Sequence, residues 1–253
     1  ELIKKTLNST DAVPNIIDEI IFRILPHHII TTNFDKLLEL STEPNRQLYD
    51  LVASDCEMLG KRKSRYIIKM HGDFDSIDEI VLKESDYLEY EQRHPLMQTY
   101  IKSLLVDHCF LFIGYSFNDY NLKQIIGWIN YFAKQKGKTM PRNYIIQTSM
   151  ESQPSYIIKS YEESNISFID AKELPERLLA NYQNLKLEEP GKMLYAILDC
   201  IYNENVADML LPPDEVMLAK INPLDLYRAV SVEDFNALYS FGKVILFFHN
   251  FPP

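Results

Sequence analysis

An α/β fold, a parallel sheet built of βαβ units, is what this sequence predicts, and three observations predict it. Short apolar runs rich in β-branched and aromatic residues alternate with amphipathic segments of helix length, the rhythm of βαβ units with right-handed crossovers. Three runs are apolar without polar alternation, as strands buried on both faces are: Ile29-Ile30-Thr31-Thr32-Asn33-Phe34-Asp35, Ile67-Ile68-Lys69-Met70-His71-Gly72-Asp73, and Phe110 through Ile113-Gly114-Tyr115-Ser116-Phe117-Asn118-Asp119. Each ends abruptly in small and polar groups, which is how a buried strand looks where its C-terminal end opens into a ligand crevice.

Taken in chain order, residues 14–25 place Ile16, Ile17, Ile20, Ile21 and Ile24 on one helical face, and Pro26 stops the helix. His28 to Thr32 reads as a strand, and Lys36-Leu37-Leu38 begins the next helix. Residues 41–65 are polar and mixed, a long connection with room for one short helix. Tyr66 to Met70 is the second strand. Ser85 and Asp86 have the chemistry of a helix cap, and Pro95 to Leu105 follows as a helix with Leu96, Tyr100, Ile101 and Leu104 on one face. Cys109 to Ile113 is the third strand. Asn118 and Asp119 can cap a helix carrying Leu122, Ile125, Ile126 and Ile129. Strands at Tyr144–Gln147 and Ile166–Ile169 enclose a helix over 156–162.

Beyond residue 185 the pattern changes. Met193, Leu194, Ile197, Leu198 and Ile201 form a helical face, Leu211-Pro212-Pro213 reads as a linker, and Ser231 with Asp234 as a capping box. We therefore expect residues 1–185 to form the sheet-bearing domain, and residues 186–253 a helical linker or the start of a second domain. The apolar run Val244–Phe248 is of strand or core length and needs a partner.

Composition narrows the function classes. The 253 residues are 46% hydrophobic and 25% charged, globular values. A net charge of −10 argues against a general nucleic-acid-binding surface. The one basic cluster, Lys61 to Arg65, reads as a solvated loop or as a phosphate or partner contact. Three scattered cysteines, Cys56, Cys109 and Cys200, disfavour a disulfide framework or a zinc ribbon and fit a reducing cytosol. Seven glycines form no Gly-x-Gly, so the sequence holds no dinucleotide phosphate loop. With no signal peptide or 18-residue apolar stretch, we expect a soluble cytoplasmic protein without a membrane segment. A chain that starts at Glu1 and stops at Phe251-Pro252-Pro253 reads as a piece of a longer one.

The candidate site lies at the strand ends. An Asn33 amide can donate to and accept from a ribose hydroxyl or a water, and Asp35 can accept from an amide ligand; both are equally able to cap the following helix. His71 can take a proton from a sugar hydroxyl near neutral pH, or serve as a turn histidine with a satisfied nitrogen, and Gly72 permits the tight turn beside it. Gly114 lets a ligand approach the backbone, and Ser116 offers a hydroxyl to phosphate or ribose. The remaining histidines, His27, His28, His94, His108 and His249, lie among helix-end or apolar residues and read as structural.

Together these segments resemble the SIR2-like domain, in the variety found in bacterial anti-phage NADases, the Thoeris effector and the defence-associated sirtuins. Asp73-Phe74-Asp75 and Ile80 through Tyr87 match the downstream pattern of that group, and the resemblance covers roughly residues 15–180. It implies a Rossmann-like sheet lacking its N-terminal βα unit here, and NAD as substrate with no metal. Asn33 and His71 would be catalytic, Asn33 holding the nicotinamide ribose and the attacking water, His71 acting as general base on the ribose hydroxyls. Thr32, Phe34, Asp35, Gly114 and Ser116 would bind NAD, Asp35 with the Phe34 backbone at the carboxamide and Gly114 with Ser116 toward adenosine. Gln147 and Asp170 are weaker candidates on the adenine side.

Departures from the deacetylases point the same way. Thr32 stands where they carry Gln, their four zinc-binding cysteines are absent, and Val81 to Asp86 replaces the peptide-clamping segment. The Gly-Ala-Gly-type strand and turn that binds pyrophosphate in the family would lie upstream of Glu1. The resemblance implies an NAD glycohydrolase effector, homo-oligomeric and switched on by a phage-derived protein or a small-molecule signal. The alternatives are an NAD-dependent protein deacylase and a non-catalytic NAD or ADP-ribose sensor controlling assembly.

Overall fold

The computed structural model describes residues 13–61, 63–75, 80–115, 120–133, 142–148, 155–203 and 244–248. Among the described residues, seven strands form one all-parallel sheet: β1 (His28–Thr31), β2 (Tyr49–Val52), β3 (Arg65–Lys69), β4 (Cys109–Ile113), β5 (Asn143–Gln147), β6 (Ile166–Asp170) and β7 (Val244–Phe248), in the order β2-β3-β1-β7-β4-β5-β6. An α/β, Rossmann-like fold is therefore what the chain adopts. From β1 the chain goes to the outer edge for β2, returns to β3 beside β1, and then crosses to the other side for β4, β5 and β6, so the order of strands reverses around β1, β7 and β4. A parallel sheet opens its ligand crevice at such a reversal, outside the carboxyl ends of the strands.

Helix α1 (Ile16–Ile24) begins where Asn15 accepts from the Ile17 N–H at 2.7 Å and Asp18 accepts from the Asn15 N–H at 2.9 Å, a reciprocal cap. It ends at Leu25, whose φ of 57° is left-handed, ahead of Pro26. The basic cluster has a use at this turn. Arg65 Nη1 donates to the carbonyls of Leu25 (3.0 Å) and Pro26 (2.6 Å), and Lys63 Nζ donates to those of Gln47 (2.7 Å) and Tyr49 (3.1 Å).

Alternate residues of β1, β3, β4 and β5 feed two cores. Ile29, Ile67, Leu111, Ile113 and Ile146 pack on one face against α1 and α10 (Glu189–Asn203). Ile30, Ile68, Phe110, Phe112 and Ile145 pack on the other against α6 (Pro95–Leu104) and α7 (Tyr120–Ala133). Burial on both faces is why the strands carry no polar alternation. The segment beyond residue 185, expected to be a helical linker or the start of a second domain, contributes α10 to the first core. It also contributes β7, whose residues His28↔Ile245 through Thr31↔Phe248 pair with β1 and Cys109↔Val244 through Ile113↔Phe248 with β4. The apolar run expected to need a partner has one on each side.

Two expectations are corrected. The 41–65 connection holds strand β2 as well as α3 (Asp55–Met58), because Tyr49 is buried and the segment extends β3 in parallel register, Tyr49↔Arg65 to Val52↔Ile68. Helix α6 buries Met97, Gln98, Ile101 and Leu104, while Leu96 is exposed. The cause is tertiary: Asp55 accepts from the N–H groups of both Leu96 (2.7 Å) and Met97 (3.0 Å), which sets the rotation of the first turn. The linker at 211–213, the capping box at 231–234, and Ser116, Phe117, Asn118 and Asp119 lie outside the described residues.

Candidate functional site

Parallel register delivers the three predicted segments to one edge. Thr31 is paired with Lys69 across β1 and β3, and both Thr31 and Ile113 are paired with Phe248 of β7. Thr32, Asn33, Phe34 and Asp35 leave β1, Met70, His71 and Gly72 leave β3, and Gly114 and Tyr115 leave β4, all at that edge.

Local bonds fix each exit. The Met70 N–H donates to the Thr31 carbonyl at 2.8 Å, extending the β1–β3 ladder one step past the strands. Asn33, 6% exposed, donates its backbone N–H to Thr31 Oγ1 at 3.1 Å, so the side chain of one residue turns the next out of the sheet. Thr32 is buried and its hydroxyl lies 3.3 Å from that of Tyr115, tying the end of β1 to the end of β4. Gly72 has φ 79° and Gly114 φ 78°, left-handed conformations that favour glycine. At the first, the Gly72 N–H returns to the Lys69 carbonyl at 3.1 Å, a tight turn around His71. The His71 carbonyl accepts from the buried Val81 at 3.1 Å.

His71 is 4% exposed and stands in aromatic company. Its ring lies 6.1 Å from that of Phe34 and 5.3 Å edge-on from that of Tyr87, on helix α4 (Glu84–Leu88). Phe34 also meets Phe74 at 5.5 Å, and Tyr87 meets Tyr120, at the start of α7, at 5.1 Å. The result is an aromatic wall of the kind that holds a planar ring by stacking or edge contact.

Acidic groups lie beneath the β1 exit. Asp35 Oδ1 accepts from the Leu37 N–H at 3.0 Å, an Asx turn that leads into the single-turn helix α2 (Leu37–Leu40), whose N-cap position is Lys36. Burial raises the Asp18 carboxyl to about 6; its bond from the Asn15 N–H pulls the other way, and the nearby Asp35 charge adds to the rise. Farther along the edge, Gln147 and Asp170 end β5 and β6 as a register pair, and Asp170 Oδ1 accepts from the Lys172 N–H at 3.0 Å, capping a 3₁₀ turn. Three residues at the site escaped the sequence reading. Tyr115 and Tyr87 are single aromatics in polar context, without periodicity to mark them. Lys69 had a signal, a lysine within a run of buried strand residues. Among the described residues, no three His, Cys, Asp or Glu side chains are grouped to hold a metal ion.

Residues 27–169, more than half of the chain, match the family model of the SIR2-like domain. The chain belongs to the SIR2-like family. The resemblance read from the strand ends and the match agree on the same stretch. Defense-associated sirtuin 2 of Bacillus subtilis is 26% identical over 245 residues, 94% of this chain and 23% of that protein. The NAD(+) hydrolase ThsA of Cytobacillus dafuensis is 34% identical over 110 residues, 43% of this chain and 22% of that protein. ThsA of Bacillus cereus (strain MSX-D12) is 30% identical over 149 residues, 57% and 30% respectively. This SIR2-like chain thus spans less than a third of the length of the relatives it matches. No helix among its described residues is long and apolar enough to cross a membrane.

Proposed function

We propose that the strand-end site hydrolyses NAD, releasing nicotinamide and ADP-ribose, as the catalytic module of an anti-phage defence protein. The observation that carries this reading is the placement of Asn33 and His71. Each lies two residues beyond the Thr31↔Lys69 pair, on neighbouring parallel strands, beside the aromatic wall. The names of the relatives, NAD(+) hydrolase and defense-associated sirtuin, support the same chemistry.

In this reading the nicotinamide ring sits against Phe34 with its carboxamide toward Asp35 and the backbone there. Thr32 lines the floor, and Gly114 and Ser116 take the adenosine half. The C1′–N bond breaks as positive charge develops on the ribose, the bonding pair leaving with nicotinamide. Water held by Asn33 supplies the oxygen that bonds to C1′. His71 polarises a ribose hydroxyl by accepting its hydrogen bond, which helps disperse the developing charge, and the proton lost by the water passes to solvent. Positioning and electrostatics do the work, so neither a metal nor a covalent intermediate is required of these residues.

As proposals of the same reading, the whole protein is a cytoplasmic homo-oligomer activated by a phage-derived protein or a small molecule, with no nucleic-acid substrate. The deciding experiment measures nicotinamide release from NAD by the full-length protein purified from phage-challenged cells, with and without an acyl-lysine peptide. Release without peptide supports the hydrolase. Release only with peptide makes it a deacylase. NAD binding by calorimetry without release makes it a sensor.

A further inference from the structure

Lys69 has no exposed surface, yet it carries a charge at the last position of β3. A buried ammonium is retained only where its desolvation is offset by close oxygens. Four surround it. Asp73 Oδ2 lies at 2.5 Å, Glu39 Oε1 at 2.7 Å, and the backbone carbonyls of Asp35 and Phe34 at 2.5 and 3.3 Å. Three ammonium protons serve these four acceptors, the long Phe34 contact being the shared one.

What matters is where those oxygens come from. The Phe34 and Asp35 carbonyls belong to the loop that carries Asn33. Asp73 belongs to the loop that carries His71, and Glu39 sits on α2, directly after the first loop. Asp73 itself is fixed, since its Oδ1 accepts from the Asp75 N–H at 2.9 Å. His71 lies between Lys69 and Asp73, within a turn closed at its base by the Gly72 N–H bond to the Lys69 carbonyl and across its side by the ion pair. Besides this ammonium, the two exits are joined by the Met70 N–H to the Thr31 carbonyl, one residue short of both functional side chains, and at their solvent-exposed rim by the Lys36–Asp75 ion pair at 2.5 Å.

We propose that Lys69 is a positioning residue for the reaction, its ammonium locking the Asn33 loop to the His71 loop so that both side chains address one substrate. The functional consequence rests on the NAD reading; the mechanical one does not. A neutral side chain of similar length fills the space but releases two backbone carbonyls and strands two carboxylates. Both loops then loosen, because the exposed Lys36–Asp75 pair that still links them is screened by solvent and holds them weakly. Reactions that depend on two groups held in one geometry lose rate steeply when that geometry loosens by an ångström, while substrate affinity, spread over the whole crevice, changes little.

The test uses the full-length protein from phage-challenged cells and two variants. Lys69→Met removes the ammonium alone. The triple variant Lys69→Met, Glu39→Gln, Asp73→Asn also neutralises the partners, so that folding is not prevented by unpaired buried charge. Two readouts are taken: kcat and KM for NAD, and backbone amide exchange by mass spectrometry. We expect kcat to fall by roughly 30-fold or more with KM within about threefold. Exchange should accelerate over 33–36 and 70–75 together, while 109–113 in β4 stays protected. A folded variant with kcat near wild type overturns the proposal, as does a loss confined to KM. If Lys69→Met does not fold, the triple variant is judged by the same criteria, and its failure to fold would make Lys69 a general stability residue and overturn the proposal. If the wild-type protein releases no nicotinamide, the hydrolase reading falls. The exchange result then decides alone, joint loosening of the two loops supporting the lock and loosening of one or neither overturning it.

Discussion

Asn33 and His71 occupy equivalent places on adjacent parallel strands, each two residues past the Thr31↔Lys69 pair and each nearly buried. Both lie past the ends of their strands, so the registered Thr31↔Lys69 pair and the turns that follow it, rather than the pleat, bring the two exits to one edge. If both act on one ribose, removing either should abolish most of the rate, and removing the second should add little. We expect Asn33→Ala and His71→Ala each to reduce NAD turnover by about 100-fold or more, with the double variant close to the worse single. Steady-state kinetics on the four proteins checks this, and additive losses would mean that the two residues serve separate steps.

The turn around His71 depends on a backbone that favours glycine. Gly72 is held at φ 79°, and a Cβ there strains the conformation whatever the surrounding space. Gly72→Ala should destabilise the fold by about 1–2 kcal/mol, as forced left-handed residues do, and shift the imidazole from its place beside Phe34 and Tyr87. Chemical denaturation gives the first quantity and kcat the second. A variant as stable and as active as wild type would show that the turn tolerates a side chain.

Most of this arrangement was legible because it follows from burial. A strand covered on both faces must be apolar throughout, so Ile29-Ile30, Ile67-Ile68 and Cys109–Ile113 announced themselves, and the polar residues after them marked the open edge. Strand β2 was hidden because an edge strand of four residues needs only Tyr49 and Val52 fully buried, and its flanks are polar. The α6 face was misjudged because its rotation is set by Asp55, some forty residues away in sequence, which no local periodicity records. That spacing also explains why the oxygens around Lys69 could not be foreseen. They come from Phe34, Asp35 and Glu39 on one side and Asp73 on the other, and only the parallel register brings them together.

The opposite end of the sheet contains an acid-sensitive group. His28 is buried at the start of β1, where Nδ1 accepts from the Tyr66 N–H at 3.0 Å and Nε2 lies 2.8 Å from the Tyr100 hydroxyl. A ring that accepts at Nδ1 carries its proton on Nε2 and donates to Tyr100 Oη. Burial lowers its pKa to about 2, the neighbouring His27 and His108 adding to the effect. The unfolded chain therefore binds this proton below its ordinary value of 6.5 and the native state does not. Stability from this group is full above pH 6.5 and falls as pH drops below it. Thermal unfolding between pH 7 and 4 should show the loss, and His28→Gln, which keeps an acceptor for Tyr66, should flatten it even if its midpoint at pH 7 is lower. An unchanged pH slope in His28→Gln would assign the acid sensitivity elsewhere.

Asp18 works in the opposite sense. Its folded value of about 6 lies above the ordinary 3.8, mainly through burial, so in the range between them the native state holds a proton that the unfolded chain has released. By linkage, stability from this group declines as pH rises from about 4 to 6 and stays reduced at neutrality. Replacement by Asn keeps an oxygen for the Asn15 N–H and removes the charge that burial and Asp35 disfavour. Asp18→Asn should therefore stabilise the protein at pH 7.5 by about 1–3 kcal/mol, and by close to nothing at pH 4, where the native Asp18 carboxyl already holds its proton. Urea midpoints at the two pH values decide the matter. Equal shifts at both would trace the effect to the cap rather than to the charge, and destabilisation at pH 7.5 would show that the Asp18 carboxylate is held ionised by its bond to Asn15.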